Sequence, residues 1–226
     1  MIKNISNLGD AALYCDFGKK INKEINSKVI NYFKNIKNSQ IPGITNIVPS
    51  YNKIIITFDL NITHFKKIIK EIQNLEIKSF ENKKNKIIKI PICCDEEFAL
   101  DISRLEKILK ISEIEILDTC FNKEYFCYMT GFIAGMPFFG DLDQKLRAKR
   151  LETPRIRVPK GSIGLTEQFC NIYTYESPGG WNIIGRTPLR LFDKNNNDNP
   201  SLLSPGDSVR FRSISKEEFE KIENEK

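Results

Sequence analysis

Residues 176–192 read ESPGGWNIIGRTPLRLF, and they hold the chain's only tryptophan, Trp181. Pro178-Gly179-Gly180 precedes a short apolar run, and Gly185-Arg186-Thr187-Pro188 ends it. Adjacent glycines cost too much backbone entropy for an ordinary helix or strand interior. The segment therefore reads as a shaped loop–strand–loop that presents side chains. Its surroundings are punctuated in the same way. Nine of the twelve glycines lie at or after Gly131, seven of the ten prolines at or after Pro137, and eight of the nine arginines at or after Arg147. Short apolar runs between such turn signals predict a compact β-barrel over 125–214.

The first half has another composition, dense in Ile, Lys and Asn, and a boundary between Cys120 and Gly131 is the natural division. Residues 11–17 read as a strand. Ile21, Ile25, Val29, Tyr32, Phe33 and Ile36 then recur at helical spacing. Pro42-Gly43 breaks the chain before strands over 44–48 and 53–58. Thr63 is placed to cap a second helix with Phe65, Ile68, Ile69, Ile72 and Leu75 on one face. The polar linker SFENKKNK, 79–86, leads to a strand over 87–93. The order is βαββαβ, a ferredoxin-like domain over 1–92. Two short helices, one starting at Asp101 and one with the capping box Ser112-x-x-Glu115, form a helical connector over 93–124 that docks on one domain or bridges both. Residues 215–226 read as a charged tail, either a short helix or frayed. The fold class is α+β.

At 226 residues the chain has room for two small domains. The net charge of +6 comes largely from scattered lysines, and the dense run from Lys83 to Lys89 reads as a solvated loop. Nucleic-acid binding would need basic residues clustered with aromatics, so no nucleic-acid partner is expected. The six cysteines form no CxxC pair and histidine occurs once, which leaves zinc and thioredoxin-type chemistry without ligands. Reduced thiols in a cytoplasmic protein are expected. No apolar stretch approaches the ~20 residues of a membrane span, and no signal-type segment opens the chain.

Chemistry is sparse. His64 sits near a helix start and reads as a surface residue, which leaves nucleophile–base catalysis without a base. Gly180 to Thr187 matches the phosphate-loop spacing with Arg186 for lysine. That pattern requires a following helix to hold the phosphates, and Pro188-Leu-Arg-Leu-Phe is extended. Arg155, Arg157 and Arg186 lie in Pro-containing segments where a guanidinium fork can grip a carboxylate or phosphate. Glu176 is an alternative, structural partner for one of them. Ser162 reads as a turn or hydrogen-bonding residue rather than a nucleophile. For Trp181, barrel core and binding cleft both remain open, while Phe138 and Phe139 read as core.

Four segments in order, GFIAGMPFFGDLD, TPRIRVPKGSIG, ESPGGWNIIGRTPLRLF and LLSPGDSVRF, resemble the signature of the family of B-type 5-oxoprolinase subunits. That family is also called allophanate hydrolase subunit 1 or the kinase-inhibitor family. The first half is similar too, through GDAALYCDFG, IPGITNIVPSYNKIIITFD and IKIPICCDEEFALDISRL. The resemblance covers nearly the whole chain. It implies a ferredoxin-like domain followed by a cyclophilin-like, carboxyltransferase-type barrel. It implies a subunit, inactive alone, of a heteromeric enzyme that converts 5-oxo-L-proline to L-glutamate with ATP hydrolysis. ATP with Mg is then co-substrate of the assembly, with no metal or biotin bound to this chain. The implied partners are an A-like subunit and a C-like, biotin-dependent-carboxyltransferase-like subunit. Family relationships also suggest two alternatives, inhibition of a histidine kinase and a carboxyltransferase-like role on a urea-type substrate.

Candidate substrate- and phosphate-binding residues are therefore Arg155, Arg157 and Arg186. Ser162, Glu176, Trp181 and Thr187 lie in the same segments, and Gly131, Gly135, Gly179 and Gly180 permit close backbone approach. No catalytic residue is assigned. The sequence departs from the family pattern in two places. Ala134 and Met136 stand where the family has Pro and Phe, and Thr166 to Asn171 replaces a loop of Gly-Gly-x-Gln-Thr-Gly type.

Overall fold

The computed structural model describes residues 2–79 and 87–225. It divides into two compact units at Lys84/Asn85. The linker 79–86 and the start of the lysine run lie almost wholly outside the described residues.

In the first unit, β1 (Asn4–Asn7), β2 (Ala12–Asp16), β3 (Ile44–Pro49) and β4 (Lys53–Phe58) form one antiparallel sheet in the order β1-β2-β4-β3. Helices α1 (Lys23–Ser39) and α2 (Phe65–Gln73) complete it. Strand β4 alternates half-buried and buried, which puts Ile54, Ile56 and Phe58 on the core face. They pack with Leu13, Val29, Ile36, Ile68 and Ile72 in one apolar cluster. The Asn22 side chain accepts from the Ile25 amide at 2.9 Å and starts α1. Helix α2 is capped differently from expectation. His64 occupies the cap position, exposed, while Thr63 is buried.

A larger difference concerns the sheet edge beside β2. The expected closing strand, β5 (Ile87–Ile92), is absent from this sheet and belongs to the second unit. The N-terminal β1 pairs with β2 instead, Asn4 opposite Asp16. Strand β1 reads NISN, too polar and too short to register as a strand by pattern. Strand β5 ends in consecutive buried residues, the mark of a strand covered on both faces.

The second unit continues with α3 (Ile102–Leu109), α4 (Glu113–Phe121), β6 (Glu124–Thr130), β7 (Pro137–Phe139) and β8 (Arg155–Val158). Then come β9 (Ser162–Thr166), β10 (Phe169–Ile172), β11 (Ser177–Gly179), β12 (Asn182–Arg186), β13 (Ser208–Ser213) and α5 (Lys216–Asn224). Seven strands run in the order β12-β9-β10-β7-β6-β13-β5, with β5 parallel to β13. The two ends of this sheet meet. Cys93 and Arg186 exchange both backbone hydrogen bonds at 2.9 Å, so the sheet is a nearly closed barrel. Strands β8 and β11 form a separate ribbon.

Helices α3 and α4 pack on the barrel, where Ile102, Leu105, Ile116 and Cys120 join the main cluster with Ile90, Tyr125 and Phe211. Of the two forms open to the terminal segment, it takes the helix. Ser215 caps α5 by accepting from the Glu218 amide, and Phe219 is 1% exposed and stacked on Phe98 at 4.6 Å. The expected Ser112 cap on α4 is present.

Candidate functional site

The three candidate arginines have three different surroundings. Arg155 grips Asp101 with both arms, Nη1 to Oδ2 at 2.9 Å and Nη2 to Oδ1 at 2.7 Å. The Asp101 side chain is 4% exposed and also accepts from the Ile183 amide at 2.7 Å. Asp101 stands at the N-cap of α3 yet makes no side-chain cap bond, because its carboxylate is committed to β8 and β12. The fork expected to hold a ligand is thus filled by the protein itself.

Arg157 is 80% exposed and meets Glu176 only at 3.7 Å. Arg186 donates from Nε to the Lys160 carbonyl at 2.9 Å and from Nη2 to Glu223 at 3.2 Å. Its guanidinium lies 5.7 Å from the Phe98 ring centre and 5.4 Å from that of Phe219. Arg186 therefore clamps α5 to the barrel. Thr187 is buried, its hydroxyl accepting from the Leu189 amide. Ser162 is buried at the start of β9, where its carbonyl accepts from the Tyr173 amide. Gly131 and Gly135 build the turn between β6 and β7. Gly135 has φ +67°, and a Cβ there would collide with Phe192.

Gly179, Gly180 and Trp181 do come together, on one wall of a cleft of about 390 Å³. Trp181 is half-buried and meets Phe138 edge-on at 5.7 Å and 74°. Tyr173, Asn171 and Arg150 complete the polar part of the lining. Gly179 is required there, since a Cβ would stand 2.2 Å from the Tyr173 hydroxyl. Asn171 faces Gly164 across the β9–β10 pair, and the missing Cβ of Gly164 leaves room for its amide. Asn171 is 1% exposed, and its Oδ1 has no hydrogen-bond partner among the described residues. Burial pushes the Tyr173 phenol up, against the opposing pull of the Asn171 side chain and the Arg150 and Arg155 charges. Tyr173 is thus a protonated donor at neutral pH.

Trp181 proves to be cleft wall, while Phe139 is core and Phe138 is shared with the cleft. Sequence reasoning missed Arg150, Asn171 and Tyr173. The departure from the family pattern at Asn171 was the one signal that pointed there. The Thr166–Asn171 stretch is a tight β-hairpin between β9 and β10, turning at Glu167 with φ +45°.

The site offers binding groups rather than a nucleophile. All six cysteines are unbonded. Burial raises the thiols of Cys15, Cys94 and Cys120 to about 12, so they are not thiolates at neutral pH. Among the described residues, no group of His, Cys, Asp and Glu is placed to hold a metal ion. No helix among them is long and apolar enough to cross a membrane.

The second unit is thus a nearly closed barrel that carries an apolar, arginine-edged cleft. Comparison with known proteins gives the family. Residues 3–203 match the carboxyltransferase domain, subdomains C and D, and the chain belongs to that family. It is 31% identical to the B-type 5-oxoprolinase subunit of Bacillus subtilis, over 98% of this chain and 97% of that one. It is 30% identical to the Haemophilus influenzae protein of the same name, over 92% and 96%. The crystal structure of Kluyveromyces lactis urea amidolyase shares the fold, with a TM-score of 0.82 and 21% identity. It aligns with 98% of this chain, which spans 15% of that larger one.

Proposed function

We infer that this chain is the B-type component of an ATP-dependent 5-oxoprolinase, acting with A-like and C-like subunits in the cytoplasm. One observation carries the reading: end-to-end similarity, at closely matched length, to proteins named for that role. The site is consistent with it. The cleft has cationic, amide and aromatic groups and lacks a nucleophile–base pair among the described residues, as suits a component that binds rather than reacts alone.

A lactam is a poor electrophile. In the proposed reaction its carbonyl oxygen takes the γ-phosphoryl group of ATP, held with Mg by the assembly, and ADP departs. Water adds to the ring carbon, and the ring C–N bond breaks with its electron pair going to nitrogen, which leaves the free amine and an acyl phosphate. A second water hydrolyses that acyl phosphate to the carboxylate and phosphate. This chain's part is to orient the small molecule for these steps.

The test is 5-oxoproline-dependent ATP hydrolysis by this chain alone and reconstituted with its A-like and C-like partners. Turnover is expected only in the full assembly, and its absence there overturns the reading. Gly180→Leu fills the cleft from a position whose Cβ meets only ordinary contacts, 3.4 Å from Arg150 and 3.5 Å from Pro154. It is expected to abolish turnover while leaving the fold intact.

A further inference from the structure

The cleft contains one feature that packing does not account for. Asn171 is only 1% exposed, yet its carbonyl oxygen Oδ1 is unpaired among the described residues. A buried acceptor is costly to leave unsatisfied, and it persists where a ligand or water satisfies it. The missing Cβ of Gly164 gives this oxygen its room, since a Cβ there would stand 2.6 Å from it. Asn171 lines the cleft together with Tyr173 and Trp181.

A second group points to the same ligand. Arg150 lies over Gly180, its Nε 3.4 Å and Nη2 3.6 Å from where a Cβ would be. None of the ion pairs among the described residues involves it. Unlike Arg155, its fork meets no carboxylate among the described residues. Trp181 and Phe138 add an aromatic lining to the same cleft.

We propose that Asn171 sets the selectivity of the cleft, by accepting a hydrogen bond from a ring or amide N–H of a small carboxylate whose acid group is held by Arg150. This deepens the proposed function and rests on it for the choice of ligand, because a lactam acid has both groups. A site built to bond an N–H rejects the analogue lacking it, since the buried acceptor is then left unpaired. Asn171 is a binding residue in this scheme and takes no part in bond making.

Trp181 supplies the readout. It is the only tryptophan and it lines the cleft, so its fluorescence reports occupancy of this site in the intact chain. The probes are 5-oxoproline, the lactone 5-oxotetrahydrofuran-2-carboxylate, in which ring oxygen replaces N–H, and 2-pyrrolidinone, which lacks the acid. The native chain is expected to bind the lactam acid about tenfold or more tighter than the lactone. Asn171→Ala should erase that preference while leaving lactone affinity within about twofold. Arg150→Gln, at an exposed position, should weaken both acids alike and leave pyrrolidinone unchanged. Circular dichroism and urea melts establish that each variant is folded.

Equal affinity for lactam and lactone in the native chain overturns the proposal, as does a lactam preference that survives Asn171→Ala. If Asn171→Ala does not fold, the native lactam-to-lactone ratio and the Arg150→Gln series decide it. Turnover by the assembly without lactam binding in this cleft removes the proposal and leaves the proposed function standing. Selective binding without turnover does the reverse.

Discussion

Arg155 and Arg157 stand two residues apart on β8, where simple alternation gives them one face. Their fates are opposite. Arg155 makes two parallel bonds to an aspartate that is 4% exposed. Arg157 is 80% exposed and meets a 57% exposed glutamate at 3.7 Å. Burial separates them. A desolvated, bidentate pair that also serves a backbone amide becomes indispensable, because removing one partner strands the other. A solvated pair at long range competes with water and salt and contributes little. The same residue type is thus a structural bolt at one position and a surface charge at the next.

Variants that test this contrast have graded effects. Asp101→Ala removes the partner of Arg155 and the acceptor of the Ile183 amide together. It is expected to destabilise by about 3–5 kcal/mol in urea denaturation. A loss under about 1 kcal/mol would mean that the pair is not the bolt described. Arg186→Ala should cost about 1–2 kcal/mol through the lost ring contacts and hydrogen bonds. Hydrogen exchange should show α5 opening first, with Arg186→Lys recovering part of the loss. Unchanged α5 protection would make Arg186 a ligand-binding candidate again.

The Asp16–Lys53 pair lies between the extremes, at 2.6 Å with side chains 31% and 20% exposed. The hydrogen bond from Lys53 is the main cause holding the Asp16 carboxyl below its ordinary value of 3.8. A depressed carboxyl stabilises the fold above its unfolded value, and that contribution is lost as pH falls through the lower folded value. Acid titration of an Asp16→Asn variant should therefore converge with the native chain only below about pH 4. Parallel stability curves at all pH values would deny the pair any linkage. Arg157→Ala is the smallest case, within about 0.5 kcal/mol of the native chain. A larger loss would show that exposure is a poor guide on this strand.

Legibility in the sequence followed the range of the interactions involved. Helix α1, the β4 strand and the Ser112 cap were readable because period and capping are local. The stretch around Trp181 was readable as a presented segment, and Gly179, Gly180 and Trp181 do share the cleft wall. The placement of β5 was not readable. Its partner β13 lies more than a hundred residues later, as Ile87 opposite Ser208 shows, and its apolar run fits any buried strand. The candidate arginines looked alike because a guanidinium's role depends on whether a carboxylate is folded against it. Asp101, which fills Arg155, lies in a helix cap far away in sequence.

Local sequence was enough for the α+β class, the glycine- and proline-punctuated barrel and the family pattern, all of which rest on periodicity and turn chemistry. Only the folded chain settles which strand closes which sheet, which arginine is already occupied, and that the Asn171 oxygen is buried without a partner among the described residues. Those outcomes depend on which distant groups exclude water from one another, and burial of that kind has no local signature.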